Sequence, residues 1–73
     1  MIEVRFFATF RENRGKTAEL PAEEVPTAGD ILRRFGIPAE EVAILLINGF
    51  HSKPEDPVRD GDVVALFPPV GGG

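Results

Sequence analysis

The chain has 73 residues, of which 42% are hydrophobic and 27% charged, with a formal net charge of −4 and no cysteine. This is the composition of one ordinary globular domain, and a chain of such length buries only about 60% of its unfolded surface around a single core. The acidic balance speaks against a nucleic-acid footprint, and the missing thiol excludes disulfides, a thiolate nucleophile, a CxxC redox pair and a cysteine zinc site.

Arg33-Arg34 and the pair Arg11/Arg14 are the only basic clusters, and Glu12 interrupts the second. An acidic surface suits a basic partner. The start, Met1-Ile2-Glu3-Val4-Arg5, shows no basic leader, and the longest apolar run, Val42 to Ile47, falls far short of the roughly 20 residues of a membrane span. No membrane or nucleic-acid partner is expected, and the expected location is the cytoplasm.

Ile2, Val4 and Phe6 alternate with Glu3 and Arg5, the period-2 pattern of a half-buried strand. Phe7 falls on the opposite face from Phe6. Residues 8–15 carry Phe10 among polar neighbours and end at Gly15, which predicts a short helical turn. Lys16 to Pro21 then returns as a second strand.

Pro26-Thr27 followed by Ala28-Gly29-Asp30 predicts a helix start, with Thr27 as cap and Asp30 near the positive helix end. Ile31, Leu32 and Phe35 form an apolar stripe, with Arg33 and Arg34 outside it; Gly36 is the predicted left-handed stop. Ala43 to Ile47 is short and continuously apolar, which predicts a strand buried on both faces. Asn48-Gly49 is a two-residue hairpin signal, and Phe50 to Ser52 a short return strand. Residues 53–57 read as loop, Asp60-Gly61-Asp62 as a turn and Val63 to Phe67 as the last strand, ended by Pro68-Pro69. The order β-β-α-β-β-β predicts an α+β fold, with one main helix on one face of a mixed sheet of four to five strands.

The last quarter carries more than topology. Asn48-Gly49, Val58, Asp60-Gly61-Asp62 and Val64-Ala65-Leu66-Phe67-Pro68-Pro69-Val70, followed by glycines, together resemble the MoaD/ThiS family of ubiquitin-like β-grasp sulfur carriers. The start, Val4-Arg5-Phe6-Phe7-Ala8 with Arg11-Glu12, looks like MoaD, the small subunit of molybdopterin synthase. The resemblance covers essentially the whole chain. It implies a β-grasp domain over 1–70 and a flexible di-glycine-type C-terminal tail over 71–73.

It also implies a carrier and co-substrate without a catalytic side chain of its own. In the family's cycle an E1-like adenylyltransferase (MoeB/ThiF type) uses MgATP to adenylate the terminal carboxylate, here that of Gly73, next to Gly72. A sulfur donor converts the adenylate to a thiocarboxylate, and the loaded tail enters the large synthase subunit (MoaE type) to deliver sulfur to a pterin precursor. No bound cofactor is implied. The free chain is expected to be a monomer that forms a hetero-oligomer with these partners. Phe7 and Phe67 match the family's docking patch, and His51 stands at its third position, where MoaD proteins tend to be apolar. Pro68, Pro69, Val70 and Gly71 complete the expected partner-binding set.

The residues support this reading on their own terms. Gly71, Gly72 and Gly73 have no side chains and suit a narrow channel, while the prolines stiffen the root. Without any thiol in the chain, a carried sulfur has only the terminal carboxylate as attachment point. Phe7 and Phe67 are expected to form one exposed apolar patch beside the tail root, because the first and last strands of a β-grasp sheet are neighbours. Asp60 and Asp62 read as hairpin chemistry rather than metal ligands, and His51, the lone histidine, supports neither a metal site nor a triad. Three rivals remain open: a ubiquitin-like modifier joined through Gly73 to lysines, a sulfur carrier for another pathway (thiamine, cysteine or tRNA thiolation), and an interaction module with an idle tail.

Overall fold

The computed structural model describes residues 1–69. Five strands and one α-helix follow in the expected order: β1 (Ile2–Phe6), β2 (Thr17–Leu20), α1 (Ala28–Phe35), β3 (Ile44–Ile47), β4 (Phe50–His51) and β5 (Val63–Phe67). Short 3₁₀ turns occupy Ala8–Arg11, Ala22–Glu24 and Ala39–Glu41. The strands form one mixed sheet ordered β2-β1-β5-β3-β4, in which β1 and β5 run parallel and the other pairs antiparallel.

One face of the sheet carries the core. Ile2, Val4 and Phe6 of β1 and Val64 and Leu66 of β5 are fully buried, and Leu45 of β3 joins them. Ile31 and Leu32 of α1 cover this face, with Ala28, Val25, Ile37, Phe10, Leu20 and Val58 closing the margins. Phe35 packs against the cluster from its edge, its ring 4.9 Å from that of Phe6 and nearly perpendicular to it. Edge-to-face contact of that kind is the favoured geometry of an aromatic pair.

Local chemistry fixes both ends of α1. Thr27 and Asp30 form a reciprocal capping box: Asp30 N donates to Thr27 Oγ1 at 3.3 Å, and Thr27 N donates to Asp30 Oδ2 at 3.0 Å. The next orphan amides find carbonyls in the loop after β4, Ala28 N on Asp56 O at 3.0 Å and Gly29 N on Pro54 O at 2.7 Å. Gly36, at φ +68°, reverses the chain, and Ile37 N donates to Leu32 O at 2.9 Å, the closing bond of a Schellman motif. Arg14 then donates to Phe35 O at 3.2 Å and to Phe10 O at 3.3 Å, tying the turn after β1 to the helix C-terminus.

Two sequence-based expectations need correction. Ala43 to Ile47 is not buried on both faces: Ile44 is 37% exposed, Leu46 and Ile47 are half-buried, and only Leu45 is buried. The helix layer covers a single face, so alternate residues of β3 emerge on the uncovered one. The Phe7/Phe67 pair is also less open than an exposed patch, because each ring covers the other and both are half-buried.

Candidate functional site

The uncovered face of the sheet follows directly from register. Arg5 pairs with Ala65, Ala65 with Leu46, and Leu46 with His51, so these four share one row across the sheet. The next row begins where Phe67 pairs with Ile44 and is extended by Phe7, whose amide donates to Leu66 O at 3.2 Å. Parity places Phe7 and Phe67 opposite the buried Phe6 and Leu66. Their rings stack with centroids 4.2 Å apart and planes 10° from parallel. The Arg11 guanidinium lies 5.4 Å from the Phe7 ring centre, while its Nε donates to Phe6 O at 2.9 Å.

Next to this stack the chain leaves β5. Pro68 and Pro69, with Phe67, Ile44, Ala43, Ala8 and Thr9, line an apolar cleft of about 250 Å³. Ala8 holds a left-handed conformation at φ +54°, uncommon for a residue with a Cβ, where the chain swings from β1 into the first 3₁₀ turn. Strain of that kind clusters at functional sites, and here it shapes one wall of the cleft.

The structure thus brings Phe7, Phe67, Pro68 and Pro69 together, and places His51 on the same face two strands away from β1's neighbour β5. His51 is exposed. Val70, Gly71, Gly72 and Gly73 lie outside the described residues. Sequence reasoning missed Ile44, which pairs with Phe67 and belongs to the patch; read as part of a doubly buried strand, it gave no outward signal. It also missed Phe50, which at 75% exposure is the most exposed large apolar side chain among the described residues.

Asp62 acts as turn chemistry, while the Asp60 carboxylate pairs with the Met1 ammonium. Asp62 Oδ2 accepts from Arg59 N at 2.8 Å, and its Oδ1 accepts from Asn48 Nδ2 at 2.9 Å. The Asn48 bond, then the Arg59 backbone bond, hold the Asp62 carboxyl below its ordinary range. No cluster of His, Asp or Glu with the makings of a metal site occurs among the described residues, and no helix there is long and apolar enough to cross a membrane.

Comparison with known proteins extends the geometry. Residues 4–73 match the ThiS family. The small archaeal modifier protein 3 of Haloferax volcanii is 36% identical, over 99% of this chain and 98% of its own. The molybdopterin synthase sulfur carrier subunit of Escherichia coli is 35% identical, over the whole of both chains. Among solved structures, SAMP1 from Haloferax volcanii superposes with a TM-score of 0.78 at 26% identity, covering 99% of this chain and 98% of that one. Subunits 1 and 2 of the molybdopterin-converting factor from Helicobacter pylori have been solved as a complex, with a TM-score of 0.64 at 28% identity and coverage of 99% and 97%. The chain has the ubiquitin-like β-grasp fold and belongs to the ThiS family, the small sulfur carriers and ubiquitin-like modifiers.

Proposed function

We propose that this protein is a sulfur carrier whose Gly73 carboxylate is adenylated and converted to a thiocarboxylate, and that it donates this sulfur in molybdopterin synthesis as the small subunit of the synthase. The observation that carries the reading is the juxtaposition of the stacked Phe7/Phe67 face with the Pro68-Pro69 root, from which the glycines follow. A partner seated on that face receives the glycine segment at a fixed point. Full-length similarity to the E. coli sulfur carrier subunit supports the pathway, and the H. pylori complex supports a hetero-oligomer.

The chemistry needs nothing from the side chains of this chain. A carboxylate oxygen of Gly73 attacks the α-phosphate of MgATP held by an E1-like adenylyltransferase, and pyrophosphate leaves. Sulfide-level sulfur (HS⁻) released by a donor then attacks the acyl carbon, AMP departs with the bonding pair, and loss of the thioacid proton leaves the thiocarboxylate. With no cysteine in the chain, the acyl group has no internal thiol to capture it.

Intact mass after incubation with an adenylyltransferase of this type, MgATP and a sulfur donor tests the proposal. The expected result is a gain of one oxygen-to-sulfur exchange, localised to Gly73 by fragmentation. The 36% identity to an archaeal modifier protein favours a second reading, conjugation of Gly73 to lysine amines. Covalent ladders in cell extract, without the sulfur mass shift, would establish that one instead.

A further inference from the structure

Asn48 and Gly49 form the tip of the β3–β4 hairpin, at φ +53° and +85°, the two positive values that such a turn requires. An Asn-Gly pair is also the sequence most open to attack by a backbone amide on the preceding carboxamide, because glycine has no Cβ to obstruct it. Here the carboxamide is held elsewhere. Asn48 Nδ2 donates to Asp62 Oδ1 at 2.9 Å, and Asn48 Oδ1 accepts from Val63 N at 3.0 Å. A backbone bond from Asn48 N to Val63 O, 2.8 Å, fastens the same residue to β5. Both ends of the carboxamide are therefore committed to the neighbouring strand. Asn48 itself is exposed, so water has free access and only these bonds restrain the side chain.

We propose that Asn48-Gly49 is a latent site of spontaneous imide formation, kept closed by the clasp of Asn48 on Asp62 and Val63. When the clasp opens, the Gly49 backbone nitrogen bonds to Asn48 Cγ. The Cγ–Nδ2 bond breaks, and the amide proton passes through solvent to the departing nitrogen, which leaves as ammonia. Water then adds to either carbonyl of the five-membered imide and opens it to aspartate or isoaspartate. No oxidant or reductant enters. The aspartate product retains an acceptor for Val63 N but faces Asp62 with a second carboxylate. The isoaspartate product adds a methylene to a turn that accommodates two residues. Either one loosens β4 and with it His51, the outermost residue of its row on the uncovered face, and Phe50.

Ageing at mildly alkaline pH, followed by peptide mapping with resolution of aspartate from isoaspartate, tests the proposal. Folded wild-type protein is expected to convert at least about tenfold more slowly than the same protein unfolded in urea, a factor worth about 1.4 kcal/mol of clasp opening. Asp62→Ala, checked for folding by circular dichroism, is expected to convert severalfold faster than wild type. Asp62→Asn has a single oxygen for the two donors that Asp62 holds, Asn48 Nδ2 and Arg59 N, and is expected to convert at a rate between those of wild type and Asp62→Ala. Converted protein should exchange the Ser52 amide faster, since its bond to Leu45 O closes the β3–β4 pairing. Equal rates in folded and unfolded wild type overturn the proposal, as does a folded Asp62→Ala that ages no faster than wild type. Should Asp62→Ala fail to fold, the folded-against-unfolded comparison of wild type decides alone.

Discussion

Phe7 and Phe67 each form the other's cover: one ring just past the end of β1 and one at the end of the parallel β5, stacked 4.2 Å apart on the face of the sheet turned away from α1. Removing either ring therefore uncovers its neighbour. Phe67→Glu is expected to lower folding stability by about 1 kcal/mol, the value of a lost aromatic pair, and to leave the fold standing. Against the large synthase subunit the same variant should weaken binding by about 2 kcal/mol or more, as truncation of an interface anchor does. Urea titration and a binding isotherm on one preparation separate the two. Unfolding of the variant in buffer would place Phe67 in the core and contradict the register.

Ala8 offers an independent test of how the cleft is built. Its φ of +54° is tolerable for alanine but not for a β-branched side chain. Ala8→Val should lower stability by about 1 kcal/mol or more, because branching at Cβ adds crowding to the left-handed strain that the alanine Cβ already carries. A urea midpoint unchanged from wild type would mean that the turn relaxes and that the cleft wall is not fixed by Ala8.

Much of this architecture is legible in the sequence because each element is closed by its own local chemistry. Thr27 and Asp30 cap α1 as their spacing predicts, Gly36 ends it, and Asn48-Gly49 makes the hairpin. Strand parity also survives, since Phe6 is buried and Phe7 is not. What fails is what depends on the number of layers. The run Ala43 to Ile47 has no polar residue to mark its outer face, so nothing in it reports that Ile44 faces out beside Phe67. Nor does a sequence reveal that two half-exposed rings satisfy each other. The cleft at the tail root is invisible for the same reason: Ala8 and Thr9 approach Ala43 and Pro68 only once β1, β5 and β3 are adjacent.

Two depressed carboxylates make stability depend on acidity in a definite direction. Asp30 lies below the ordinary carboxylate range because the Thr27 hydroxyl, then Arg33, bond its charged form; Asp62 does so through Asn48 and Arg59. In the unfolded chain both revert to about 4. The unfolded state thus binds protons first as the pH falls. Stability from these groups is complete above about pH 5, and is lost progressively as the pH drops through 4 toward the folded values. Urea midpoints at fixed ionic strength should decline over that window. Thr27→Ala should lower the midpoint at neutral pH by the loss of a cap, about 1 kcal/mol, and flatten the acid decline. An equal acid slope in the variant would show that Asp30 does not contribute to it.

The glycines at the end of the chain divide the work unequally in the proposed mechanism. The family pattern that the sequence resembles fixes only the last two, so Gly71 falls at a variable position. A methyl group there also narrows the conformations open to the backbone, an effect of at most about 1 kcal/mol. At Gly72 and Gly73 the backbone passes close to the nucleotide and the incoming sulfur, where one Cβ displaces the carboxylate by about 1 Å. A displacement of that size costs around a hundredfold in rate. Gly71→Ala is therefore expected to be adenylated at near the wild-type rate, while Gly72→Ala and Gly73→Ala are strongly impaired and all three melt together. Pyrophosphate exchange with the adenylyltransferase reads the rates directly. Three equal rates would rule out a tail that threads a narrow channel, whereas a common loss in all three, with folding intact, would mean that the channel already constrains the chain at position 71.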